Sequence, residues 1–313
     1  MQLGQQGGSV MAVLKTQNLT KSYDGKRAVD DVSLTIEKED IFGLIGQNGA
    51  GKTTFMRMIT SLSQPDSGHI ELFGETEQSK VNSARSRMGS VVEAPALYNS
   101  LTAEQNLEYY RIQRGITDKN RAQKCLEIVG LTDTGKKRFK NFSLGMKQRL
   151  GLALAILSRP DFLILDEPTN GLDPTGIIEI RDLIKRFSKE GITILVSSHI
   201  LSELSQIATK YAIIHNGRLI KQLTQEQLYE ECKQALAITV DNASKAAVIL
   251  ETALGIKDYK LVSDTEIRIY GYSEDPADVN FHLNKGDVRV SSIKEVGDSL
   301  EDYYTKIVGG VAK

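Results

Sequence analysis

Only two cysteines, Cys125 and Cys232, occur in 313 residues. That is too few for a disulfide scaffold in so long a chain, and the pair lacks metal-site spacing, so the pattern points to a reducing compartment. Long apolar runs are missing too. A bilayer span needs about 20 such residues, and the richest stretch, around Leu150 to Leu157, is followed by Arg159-Pro160. Any membrane role therefore requires a partner. Neither sign of charge is in excess: 39 Lys and Arg against 40 Asp and Glu give a net charge of −1, which removes the general electrostatic argument for nucleic acid. Residues 1–10 have neither the basic start nor the apolar stretch of a signal peptide. They read as a flexible extension, and the chain as cytoplasmic.

What the chain does have is a phosphate cradle. Gly46-Gln47-Asn48-Gly49-Ala50-Gly51-Lys52-Thr53-Thr54 fits the P-loop spacing GxxxxGK[ST]. Glycines there let backbone N–H groups turn toward an anion, and the helix that follows offers unpaired amides. Lys52 is placed to neutralise β/γ-phosphates and Thr53 to ligate Mg²⁺. Ile41 to Ile45 reads as a buried strand, while Phe55, Met58, Ile59 and Leu62 recur on one helical face. The motif requires that strand–loop–helix context.

Val13 to Leu19 and Ala28 to Ile36 alternate apolar and polar residues about a turn at Asp24-Gly25-Lys26, so they read as antiparallel strands. Tyr23, just before that turn, is a packing residue or an aromatic that stacks on a base. His69 to Phe73 is a short strand. Met88 to Val92 is a buried strand running into Glu93-Ala94-Pro95, where proline forbids helix. Thr102 to Gln105 has the form of a capping box, and a mostly helical region extends from there to about Arg159. Within it Ser143 suits the N-cap of a helix apolar on nearly all sides. Phe162 to Leu165 is an apolar strand closing in Asp166-Glu167, consecutive carboxylates that are costly to bury without cations. Asp173-Pro174 marks another helix start. Ile192 to Val196 is a further buried strand followed by His199, at the kind of strand end where ligand-contacting groups collect.

With these residues in order, positions 13 to about 222 resemble the nucleotide-binding subunit of ATP-binding cassette transporters, closest in character to bacitracin and lantibiotic exporters. The resemblance implies an α/β P-loop cassette with a mixed central sheet, an antiparallel β subdomain and a helical subdomain at about 95–160. It implies that Tyr23 stacks on adenine, that Gly46 to Thr54 hold ATP, and that Thr53 and Asp166 belong to the Mg²⁺ shell. Glu167 becomes the general base, His199 the γ-phosphate contact, and Asp173 part of a dimer seam. Phe142-Ser143-Leu144-Gly145-Met146 stands where the family's LSGGQ signature belongs, with Leu144 and Met146 as departures. Glu93 stands where a coupling-loop glutamine is usual, as a further candidate toward the metal. Two copies of the chain are expected head to tail, each signature facing the other's ATP, with an integral membrane permease as the other partner and no nucleic acid.

A capping box at Thr224 to Gln227 predicts a linking helix within 223–234. From residue 235 to 313 the order strand, helix, strand, strand, helix, strand is ferredoxin-like. It suggests a regulatory or dimer-stabilising domain whose last helix, Ser299 to Ile307, packs back on the cassette. Two other readings stay open from sequence: a cassette ATPase acting on nucleic acid or ribosomes, and a slowly hydrolysing nucleotide-dependent switch.

Overall fold

The computed structural model describes residues 11–93, 97–232, 235–270, 275–297 and 300–311. The predicted extension at 1–10, and Ala94 and Pro95 of the loop after Val92, lie outside them. The chain divides between Gln222 and Leu223 into two compact units.

The first unit opens with β1 (Ala12–Tyr23) and β2 (Lys26–Glu37), longer than the alternating pattern predicts at both turn-proximal ends. The turn Asp24-Gly25 has positive φ at both residues, 49° and 77°, which matches the twist of paired strands and lets pairing run up to Tyr23–Lys26. β3 (Ile41–Ile45) is buried throughout and leads through the glycine-rich loop into α1 (Lys52–Ile59). Phe55, Met56, Met58 and Ile59 are buried as the helical spacing requires. Leu62 is not on that face. The helix ends at Ile59, Ser61 turns left-handed at φ 64°, and Leu62 is left 59% exposed. β4 (Ser67–Leu72) pairs antiparallel with β1, completing a sheet in the order β2-β1-β4.

Next comes α2 (Gln78–Ala84), a polar helix with only Val81 and Ala84 buried, which gave no apolar period to read. β5 (Met88–Val91) precedes α3 (Ala103–Gln113), where Thr102 and Gln105 form both bonds of the capping box. α4 (Arg121–Ile128) and α5 (Leu144–Ala155) complete the helical region, separated by turns and short 3₁₀ segments. Then follow β6 (Phe162–Leu165), α6 (Pro174–Lys189), β7 (Thr193–Ser198), α7 (Leu201–Ser205), β8 (Lys210–His215) and β9 (Arg218–Thr224). The central sheet has the order β5-β6-β7-β3-β8-β9. Its first five strands are parallel, and β9 returns antiparallel through the two-residue turn Asn216-Gly217. The sheet is mixed. One apolar core joins both sheets of this unit, with Leu14, Ile36, Phe42, Phe55, Met58 and Phe162 fully buried. Because β3, β6 and β7 run parallel with aligned registers (Ile45 beside Ser198, Leu165 beside Val196), their C-terminal ends share one edge. Ligands bind outside that edge in open α/β sheets.

The second unit begins with α8 (Gln225–Glu231), whose Thr224/Gln227 capping box is complete. It continues with β10 (Ala235–Val240), α9 (Ala243–Leu254), β11 (Tyr259–Ser263), β12 (Glu266–Tyr270), α10 (Pro276–Lys285) and β13 (Val290–Val296). All pairings are antiparallel in the order β11-β12-β10-β13, the ferredoxin-like interleaving. Its own core gathers Ile238, Leu250, Ile267, Val279 and Leu283. The last helix, α11 (Leu300–Val311), contacts α8 within this unit: Tyr303 donates its hydroxyl proton to Glu231 at 2.5 Å.

Candidate nucleotide-binding site

The glycine-rich loop bends where only glycine relieves the sterics. Gly51 caps α1 at φ 108°, and a Cβ there would lie 2.3 Å from the carbonyl oxygen of Ala28. Gly217 and Asp30 brace the loop from behind. The Gly217 N–H donates to Ala50 at 2.9 Å and the Asp30 N–H to Gly217 at 2.8 Å. Asp30 is buried between two cations. Arg218 and Arg27 both donate to its carboxylate and hold the carboxyl below the usual carboxylate range.

A cavity of about 160 Å³ lies over the loop, lined by Ala28, Gln47 through Thr54, and Glu167. Gly46 sits beneath it, its N–H donating to Ser198 at 3.4 Å. Lys52 is 5% exposed. Its ammonium donates to the carbonyls of Gly46 (2.6 Å) and Gln47 (3.3 Å) and lies 3.0 Å from Glu167 Oε1. That last approach is an ion pair without hydrogen-bond geometry, and Glu167 Oε1 takes no other hydrogen bond. The other oxygen, Glu167 Oε2, lies 2.8 Å from His199 Nδ1. Against a carboxylate this ring nitrogen must carry the proton. Glu167 adopts φ 47°, a left-handed conformation that costs a non-glycine residue about 1–2 kcal/mol. Asp166 stands beside it, accepting from Thr53 Oγ1 at 2.7 Å and from Ser197 Oγ at 2.7 Å. The structure thus brings Lys52, Thr53, Asp166, Glu167 and His199 together.

Other predicted positions lie apart. Tyr23 does not line the cavity; it is 45% exposed, with its hydroxyl 3.1 Å from Ser63 Oγ. Glu93 is not joined to Thr53 and Asp166. Arg57, one turn after Thr53 on α1, pairs with its carboxylate at 2.8 Å and leaves it 58% exposed. The segment Phe142 to Met146 is absent from the cavity lining. Ser143 caps α5 by accepting from the Met146 N–H at 3.3 Å, Phe142 is buried, and Leu144 is 47% exposed. Met146 Sδ lies 3.7 Å from Lys137 Nζ. Leu144 reaches over Gly171, where an added Cβ would meet it at 3.1 Å, so the signature segment touches the loop that leads to Asp173. Asp173 itself caps α6, accepting from the Gly176 N–H at 3.0 Å.

A match to the ABC transporter family model covers residues 29–170. The bacitracin transport ATP-binding protein of Bacillus licheniformis is 43% identical, over 95% of this chain and 98% of that one. The chain belongs to the ABC transporter ATP-binding proteins. It is also 43% identical to the lantibiotic transport ATP-binding protein SrtF of Streptococcus pyogenes, over 66% of this cassette protein and 89% of that one. Among solved structures, a part of an ABC transporter complex from Clostridium perfringens superposes with TM-score 0.64 at 27% identity, covering 71% of this chain and 92% of that one. Membership of this family implies that the chain binds nucleotide.

Sequence reasoning missed Ser197, Arg57 and Asp30. Ser197 had a faint signal, a pair of serines closing a buried strand just before His199. The partner of Arg57, and the second partner of Asp30 besides the nearby Arg27, are 36 and 188 residues away, beyond the reach of any local pattern.

Proposed function

We propose that this cassette binds MgATP over Gly46 to Thr54 and that its hydrolysis energises a separate integral membrane permease exporting an antibiotic peptide or other toxic compound. The observation that carries the reading is the convergence of Lys52 and Glu167 on one cavity, with His199 bonded to the second carboxylate oxygen of Glu167. Support for the exported class comes from the relatives, which are bacitracin and lantibiotic transport ATP-binding proteins. Among the described residues no helix is long and apolar enough to cross a membrane. The proposed place of the protein is the cytoplasmic face of the membrane, held there by the permease.

The donor set fits Mg²⁺. Thr53 offers a hydroxyl and Asp166 a carboxylate, hard oxygens 2.7 Å apart, which is the sparse protein share that Mg²⁺ takes when phosphates supply other ligands. Such an ion would neutralise charge on the phosphate oxygens. In our reading Lys52 moves its ammonium from Glu167 and the loop carbonyls to the β/γ-phosphates. Glu167, released from that pair, accepts the proton of the attacking water, while His199 keeps its carboxylate oriented and contacts the γ-phosphate. Preorganised charge of this kind supplies most of the stabilisation in phosphoryl transfer.

Two cassettes would face each other head to tail, with Ser143 and Gly145 of one capping the ATP on Lys52 of the other, and with Asp173 at the seam. The absence of residues 142–146 from their own cavity lining supports this arrangement. Closing the pair on ATP more tightly than the open form is what can drive permease helices between conformations. The second unit is assigned a regulatory or dimer-stabilising role.

The test begins with the neighbouring reading frame: where it encodes several hydrophobic spans, that protein is co-expressed with this chain. Cells carrying both should tolerate more bacitracin-type peptide than cells carrying the permease with Lys52→Ala. Equal tolerance would count against transport, and ATP binding without turnover would favour the switch reading.

A further inference from the structure

We infer that Ser197 is a positioning residue that sets both acids of the site. The inference rests on the proposed roles of Asp166 and Glu167. Ser197 is fully buried at the end of β7. Its hydroxyl donates to Asp166 Oδ1 at 2.7 Å and accepts from the Glu167 N–H at 2.9 Å. One hydroxyl therefore holds the side chain of the first acid and the backbone of the second.

Two features make this more than the satisfaction of a buried N–H. First, both oxygens of Asp166 take a hydroxyl proton, Oδ2 from Thr53 and Oδ1 from Ser197, so the carboxylate plane is fixed from both sides. Thr53 sits on the phosphate loop and is itself placed in the metal set. Ser197 lies on β7, which is paired with β3 on one side and β6 on the other and so forms a fixed support. Second, the N–H that Ser197 accepts belongs to a residue at φ 47°. That left-handed turn aims Glu167 at both Lys52 and His199. An anchor on its amide keeps the turn from relaxing. Partners that orient a metal-bound carboxylate act on metal affinity even though they never touch the ion.

The test compares Ser197→Ala, Ser197→Thr and Asp166→Ala in the full chain. Mn²⁺ binding in the presence of ATP is read by electron paramagnetic resonance, and binding of a fluorescent ATP analogue is read in EDTA. Loss of such a partner weakens metal binding about 10–100-fold. Ser197→Ala should show that loss, with a parallel drop in kcat and a Tm lowered by the unpaired Glu167 N–H, while metal-free ATP affinity stays near the parent value. Ser197→Thr, which keeps the hydroxyl, should recover metal binding. Unchanged Mn²⁺ affinity in Ser197→Ala, with Asp166→Ala impaired, overturns the inference alone. Unchanged affinity in Asp166→Ala overturns the site reading beneath it. Loss of metal-free ATP binding in step with the metal also overturns the inference, because a general distortion would then explain both.

Discussion

Glu167→Gln should move ATP affinity and turnover in opposite directions. In the structure Glu167 Oε1 is 3.0 Å from the Lys52 ammonium, with the lysine 5% and the glutamate 17% exposed. Before Lys52 can serve a phosphate, that pair must part. Hydrogen bonds to a charged group contribute about 1.5–3 kcal/mol net, and this ion pair, without that geometry, is set no higher than the bottom of that range. About 1.5 kcal/mol corresponds to roughly tenfold in an equilibrium constant. The neutral amide also removes a negative charge that faces the incoming phosphates. Metal-free ATP should therefore bind Glu167→Gln about tenfold tighter, by the two estimates just given. Turnover should fall by about 10²–10⁴-fold, the contribution of a general base. Titration of a fluorescent ATP analogue in EDTA reads the first effect and single-turnover phosphate release reads the second. Weaker ATP binding would refute the competition between Glu167 and nucleotide for Lys52, and parental turnover would refute the base.

Gly51→Ala places a methyl 2.3 Å from the Ala28 carbonyl oxygen at φ 108°. The backbone strain alone is about 1–3 kcal/mol, so both Tm and ATP binding should drop, and parental binding would show that the loop tolerates another path. Glu93→Gln releases Arg57 from an exposed pair worth about 0.2–1 kcal/mol, so Tm should scarcely change. The Mg²⁺ dependence of ATPase activity and the stimulation by permease should change, and identical curves would remove Glu93 from the site. Asp30 is held below its ordinary pKa by Arg218 and Arg27. The stability it lends is present above the unfolded carboxylate pKa and is lost as pH falls through the lower folded value. The Tm gap between the parent and Asp30→Asn should accordingly be widest near neutrality and close in acid, and a pH-independent gap would show that the charge pairing is immaterial.

The phosphate loop could be read from sequence because its function demands particular residue types at fixed spacing, and an apolar strand and an amphipathic helix flank it. Asp166 and Glu167 were legible for a different reason: two adjacent carboxylates after four buried residues are energetically conspicuous. The ferredoxin-like order of the second unit followed from alternating periods alone. Less could be read where partners are remote. From sequence Glu93 is a candidate toward the proposed metal, and only the fold brings Arg57 to it. Leu62 continued the helical period, yet a left-handed Ser61 ends the helix first. α2 buries just two side chains, too few to impress a pattern on its sequence. Ser197 passed as an ordinary polar end to a strand because a serine's identity does not say what its proton is bonded to.

The strand order carries a mechanical consequence. β3, which launches the glycine-rich loop, has a hydrogen-bonded neighbour on each side, whereas β5, which launches Glu93, has among the described residues β6 alone beside it. Displacing β3 would shear two ladders at once, and displacing β5 loosens one. Amide hydrogen exchange should then be slowest along Phe42 to Ile45 and faster along Met88 to Val91, since protection follows the local cost of opening. A rigid anvil under the glycine-rich loop and a compliant margin under Glu93 would let the cassette yield at its rim while the proposed phosphate site stays put.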